Sequence, residues 1–142
     1  MPLNISQTPR IEAAWKIVED WKSCLNTHDT DRLLLLFCEN DNAFWGTFAN
    51  QIRQTREELR TYYEHFLDCE SIECQILENT PRELTTEIVS FTGIYTFDIV
   101  KKKGDPVEHT LARFTFTIRH DNVAGRWVFV EHHSSVMPEN GY

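Results

Sequence analysis

The stretch Trp127-Val128-Phe129-Val130-Glu131-His132-His133-Ser134-Ser135-Val136 decides the fold. Its β-branched and aromatic residues follow the turn-forming run His120-Asp121-Asn122-Val123-Ala124-Gly125 and predict a strand over 126–136. Side chains alternate across a strand, so Trp127, Phe129, Glu131, His133 and Ser135 are expected on one face. Val128, Val130, His132, Ser134 and Val136 are expected on the other. The first set runs from aromatic to Glu, His and Ser, as in a strand that leaves a core and enters a wet pocket. The alternative is that His133 and Ser135 only satisfy backbone groups near a strand end. The same parity separates the two histidines, so one metal ion is not easily held by both, and no ligand spacing such as HExxH occurs elsewhere. The second set is largely apolar; a partner subunit is its natural cover, and a homodimer through the sheet is expected.

Working back along the chain, runs at roughly 84–100 and 107–119 also alternate, with Lys103-Gly104-Asp105-Pro106 as the turn between them. With Ile72, Cys74 and Ile76 they predict an antiparallel meander. The first part of the chain is helical instead. Thr8 can cap a helix with Pro9 in its first turn, and Ile11, Ala14, Trp15, Val18, Lys22 and Leu25 follow the spacing of one helical face. Asn26-Thr27-His28-Asp29 interrupts it before a short helix through Leu33-Leu34-Leu35-Leu36-Phe37. Ala43-Phe44-Trp45-Gly46-Thr47-Phe48 reads as a strand whose Gly46 marks a bulge or a close backbone approach. Thr55-Arg56-Glu57-Glu58 is a capping box that opens a helix through about Leu67. Helices followed by a long-stranded antiparallel sheet mean an α+β fold. A twisted sheet curling around the first helix would leave a conical cavity, the natural place for chemistry.

The chain has 142 residues, 41% of them hydrophobic, which suits one domain over 1–142 that buries roughly two-thirds of its unfolded surface. Fourteen Lys and Arg against 22 Asp and Glu give a net charge of -8, which disfavours nucleic acid and anionic membranes as partners. An aromatic content of 12% excludes disorder. Cys24, Cys38, Cys69 and Cys74 form no CxxC pair and read as small buried thiols. Met1-Pro2-Leu3-Asn4-Ile5-Ser6-Gln7 lacks the pattern of a leader, and no stretch approaches the ~18 apolar residues of a membrane span, so a soluble cytoplasmic protein is expected.

Three further groups are candidates for the pocket. Thr47 shares strand parity with Trp45. Tyr62 and Tyr63 lie on the inner side of the capped helix, and helical spacing admits either. Arg113 stands among Ala112, Phe114, Phe116 and Ile118, so a regular strand points it away from the core unless a bulge changes the register. No GxSxG elbow supports a serine nucleophile.

The Trp-bearing first helix, Phe44-Trp45-Gly46-Thr47-Phe48, Tyr62-Tyr63-Glu64-His65-Phe66-Leu67 and the terminal strand with Met137-Pro138 together resemble the NTF2-like cone fold. The likeness is to its branch related to the association domain of calcium/calmodulin-dependent protein kinase II. The His-His-Ser-Ser ending is similar to the iota class of carbonic anhydrases. That resemblance implies reversible hydration of carbon dioxide to bicarbonate in a pocket without metal or other cofactor. It implies catalytic roles for Thr47, Tyr62 and Ser135 as hydroxyls that orient water, and for His133 as proton acceptor. Trp45, Tyr63, Arg113, Phe129 and Ser134 would then line the substrate. The alternative from the same resemblance is a non-catalytic association or small-ligand-binding module.

Overall fold

The structure is a computed structural model that describes residues 8–142; residues 1–7, read above as carrying no leader pattern, lie outside the described residues. The first helix, α1 (Pro9–Asn26), is capped by Thr8, whose Oγ1 accepts from the Ile11 amide at 3.2 Å. Its buried face is Ile11, Ala14, Val18, Trp21 and Leu25, with Cys24 beside them. Trp21 takes the place expected for Lys22, and Trp15 is only half-buried. The spacing 14, 18, 21, 25 brings the indole inward, where it stays on the apolar stripe. A short helix, α2 (Thr30–Leu34), capped by Asp29, covers the end of α1.

Strand β1 (Ala43–Trp45) is shorter than the six residues the sequence suggests, because the chain turns away at Gly46. A Cβ on Gly46 would lie 2.4 Å from Cζ of Tyr62, so the predicted close approach is to a tyrosine ring. Helix α3 (Arg56–Phe66) opens with the capping box in full: the Glu58 amide donates to Thr55 Oγ1, and Glu58 Oε1 accepts from the Thr55 amide.

Four long strands follow: β2 (Ser71–Glu83), β3 (Ile88–Val100), β4 (Glu108–Asp121) and β5 (Arg126–Val136). β3 starts later than the sequence suggests because Leu84–Glu87 make the turn. The sheet order is β1-β5-β4-β3-β2. β2 to β5 are an antiparallel meander, but β1 joins β5 in parallel, so the sheet is mixed. One face carries α1 and the core, built from Phe91, Tyr95, Phe97, Phe114, Phe116 and Phe129 around Trp21. Burial of this aromatic set supplies the main favourable term of the fold.

Two irregularities set which side chains face that core. The β2–β3 register shifts between Ile76 and Glu78, where Gly93 lets the Glu78 carbonyl approach; a Cβ there would meet that oxygen at 1.9 Å. The β4–β5 register shifts between Thr117 and Ile118, which face Glu131 and Phe129, so Val130 is the extra residue. The alternation expected over 127–136 therefore breaks at Val130. Phe129 points into the core, but beyond the bulge the inward residues are His132 and Ser134, opposite Phe116 and Phe114. Glu131 and His133 are exposed, and Val128 is already buried. The continuous apolar outer set Val128, Val130 and Val136 does not exist.

Candidate functional site

Beneath the sheet, the side chains that follow the bulge meet α1, α3 and the β1 end in a buried polar cluster. His132 Nε2 and the Tyr95 hydroxyl are 3.0 Å apart, and Thr47 Oγ1 and Ser134 Oγ are 2.6 Å apart. The Tyr95 hydroxyl also interacts with Ser134 and Thr47, and the Tyr62 hydroxyl with Thr47 while accepting from the Phe48 amide at 3.3 Å. Trp21 Nε1 donates to the Tyr63 hydroxyl at 3.1 Å. The His132 ring stacks on Phe116 at 4.2 Å between centroids and meets Trp21 and Phe44 edge-on. Its Nδ1 is buried with no hydrogen-bond partner. A bare acceptor costs less there than an orphaned N–H, so the proton belongs on Nε2, which donates to Tyr95.

Burial dominates the electrostatics. Desolvation, with a smaller contribution from His133, lowers the His132 pKa to about 3, so the imidazole is neutral at neutral pH. Desolvation raises Tyr62 to about 12 against the weaker opposing effects of the Phe48 amide, Arg53 and Thr47. Tyr63 and Tyr95 are held well above the ordinary tyrosine range for the same reason. The space left among Gly46, Thr47, Tyr62, Tyr95 and His132 is a cavity of about 10 Å³, room for about one water. Its hydroxyls are paired with one another and its imidazole does not take up a proton near neutrality. The arrangement can hold one small polar molecule and contains no group poised as a general base.

Tyr62 and Phe66 stack with centroids 5.6 Å apart and separate this cavity from a larger cleft of about 430 Å³. Phe48, Arg53, His65, Cys69 and Lys101 line the cleft. Arg53 Nε donates to Thr61 Oγ1 at 3.0 Å and its guanidinium lies 5.5 Å from the Tyr62 ring centroid. Asp68 and Glu108 line the same cleft, so its charge is mixed.

The expected site residues divide between two faces. Thr47, Tyr62 and Ser134 meet at the inner cavity, with Tyr63 behind them and Phe129 in the adjoining core. His133, Ser135, Arg113 and Trp45 lie on the opposite face of the sheet. There Arg113 Nε donates to Ser135 Oγ at 3.0 Å, and His133 pairs with Thr115 and Trp45. The bulge at Val130 is the physical reason: one extra residue exchanges His132 for His133 and Ser134 for Ser135. Arg113 points outward because β4 stays regular between Ala112 and Thr117. Sequence reasoning missed His132, Tyr95 and Trp21. The stripe through Trp21 and the alternation Phe91, Tyr95, Phe97 carry a signal for two of them; nothing in Phe129-Val130-Glu131 marks the bulge.

The model of the calcium/calmodulin dependent protein kinase II association domain family matches residues 10–138. Among solved structures, a candidate association domain of that kind from Xanthomonas campestris is 28% identical. It covers 99% of this chain and 95% of its own, with a TM-score of 0.84. A candidate scytalone dehydratase from Novosphingobium aromaticivorans is 13% identical over 91% of this chain and 85% of its own, with a TM-score of 0.80. A ketosteroid isomerase-like protein from Erwinia carotovora atroseptica is 10% identical over 93% and 99%, with a TM-score of 0.77. These two show the fold alone. No curated protein matches the chain.

These findings correct the reading of the chain as an iota-class carbonic anhydrase. The matching family is that of an association domain, and the 28% identical structure is a candidate association domain of the same kind. The outward His133 and Ser135 cannot act with Thr47 and Tyr62 on one molecule across the sheet. Among the described residues, no group of three or more His, Cys, Asp or Glu side chains is placed to hold a metal ion. Among the described residues no helix is long and apolar enough to cross a membrane.

Proposed function

The chain belongs to the calcium/calmodulin-dependent protein kinase II association domain family, and from that premise we propose that it is a non-catalytic association module that pairs with copies of itself. The observation that carries this reading is the outer face of the sheet. Trp45 and Leu111 stand there 39% and 42% exposed, among Thr, Arg, Glu and His side chains, on a sheet covered by α1 on its other face only. A single sheet is stable with one wet face, but an exposed tryptophan beside an ordered polar ladder is what an interface presents. In this reading residues 1–142 are one domain, and the sheet, bent at its two bulges, curls around α1 as a cone with Thr47 and Ser134 at its depth.

The interior keeps a secondary role. A neutral, hydroxyl-lined cavity beside a 430 Å³ cleft suits a bound water or a small ligand that steadies the fold without turnover. Four free thiols, two of them buried, suit a reducing cytoplasmic setting. Sedimentation velocity of the full chain over a hundredfold range of concentration tests the assignment. The expected species is a multiple of 16.7 kDa, and a 16.7 kDa particle throughout that range rejects it.

A further inference from the structure

The run Asn26-Thr27-His28-Asp29, where α1 ends, brings a histidine against a cysteine in the wall of the larger cleft. The Asp29 amide donates to the Cys24 carbonyl at 2.9 Å and the His28 amide to the Leu25 carbonyl at 3.2 Å, the paired bonds of a Schellman motif. His28 holds the left-handed position of that motif, at φ 57°, which glycine and asparagine fill more often. Thr27 closes α1 on one side and Asp29 caps α2 on the other, so the backbone that carries the imidazole is fixed. His28 Nε2 lies 4.0 Å from Cys69 Sγ, within reach of a hydrogen bond to sulfur. Cys69 stands between α3 and β2, half-buried, and lines the cleft with Phe66, Asp68 and Lys101. Its thiol has an imidazole on one side and an open cleft on the other.

We propose that Cys69 is a modification site at which a low-molecular-weight disulfide forms a mixed disulfide, with His28 as the base. The Cys69 sulfur attacks one sulfur of the incoming disulfide, and the new S–S bond forms as the old one breaks. The thiol proton passes to Nε2 of His28 and then to the departing thiolate, which leaves as a thiol. Cys69 is oxidised and the departing half is reduced, so the incoming disulfide is the only oxidant. The thiol needs that base. Burial, then Asp68 and more weakly Glu70, push its pKa up against the opposing effect of Lys101, so it is protonated near neutrality. Once the proton is gone, a thiolate of high pKa is intrinsically the stronger nucleophile. The cleft also selects the arms of the reagent. Arg53 and Lys101 face Asp68 and Glu108 there, and among the described residues none of the four is in an ion pair. A disulfide whose arms each carry a carboxylate and an ammonium, as those of cysteine and short cysteine peptides do, matches both signs.

Intact mass and peptide mapping of the native full chain treated with oxidised glutathione test the proposal. The expected product is a mixed disulfide at Cys69 that dithiothreitol removes, with Cys24 and Cys74 unmodified because the fold encloses them. His28→Asn should slow the reaction at Cys69 at least about tenfold, because it removes the base. Asparagine suits the left-handed position, so the urea midpoint of this variant should match that of the wild type. Cys38, whose sulfur accepts from Arg119 Nη2 at 3.5 Å, is the internal reference, and its rate should not change. A Cys69 that stays unmodified, or one that reacts equally fast in His28→Asn, overturns the proposal. Arg53→Gln should slow oxidised glutathione at least about threefold more than it slows the uncharged bis(2-hydroxyethyl) disulfide. Equal slowing of the two reagents overturns the assignment of charged arms. Neither result bears on self-association, which sedimentation reads separately.

Discussion

Lowering the pH from about 7 towards 4.5 should weaken the fold through His132 before the carboxylates titrate. In the native state this imidazole is enclosed by Phe116, Trp21, Phe44 and Tyr95 and gains a proton only near about 3. In the unfolded chain it gains one near ~6.5. Between those values the unfolded state holds more protons, so stability falls as pH falls; above them His132 makes no pH-dependent contribution. The slope is about 1.4 kcal/mol per pH unit, which amounts to roughly 2 kcal/mol between about pH 6.5 and 4.5. That is a large part of a typical ~5–15 kcal/mol. Urea unfolding followed by tryptophan emission measures it, because Trp21 lies 5.4 Å from the His132 ring. The comparison is with His132→Gln, whose amide can still reach the Tyr95 hydroxyl but does not titrate. The variant should start less stable and lose much less on acidification. Equal slopes for the two proteins over that window would refute the burial argument.

Four other expectations follow from close contacts and from a helix cap. Gly46→Ala should destabilise by about 1–3 kcal/mol, read as a lower urea midpoint, because its Cβ would lie 2.4 Å from the Tyr62 ring. Gly93→Ala should cost at least as much, since the obstacle is the backbone carbonyl of Glu78, which cannot rotate away. Replacing Thr47 by Val leaves the Ser134 hydroxyl without its 2.6 Å partner and should cost about 1–3 kcal/mol. Adding Ser134→Ala should recover part of that loss, giving a non-zero coupling in a double-mutant cycle. Thr55→Ala should cost about 1 kcal/mol by removing the cap of α3, measurable as a drop of several degrees in Tm.

Much of the fold is legible in the sequence because local rules act there without competition. Thr8 with Pro9, and Thr55 with Glu58, mark two helix starts through their own side chains, and the alternation of β3 and β4 fixes which residues face the core. What was not legible depends on tertiary register. The bulge at Val130 lies just before the residues of β5 that run between a regular β4 and the short parallel β1, and no glycine announces it. Because strand parity has a period of two, that single residue reversed the expected positions of His132, His133, Ser134 and Ser135. The same displacement puts Ser135 and His133 on the outer face, beside Arg113, which a regular β4 points outward as the sequence parity expects. The parallel pairing of β1 was equally hidden, since a three-residue strand carries too little pattern to show its direction.

The most direct test of the association reading is the molar mass of the intact wild-type chain in solution over a hundredfold range of concentration. The expected result is a multiple of 16.7 kDa. A mass of 16.7 kDa for the wild type contradicts it.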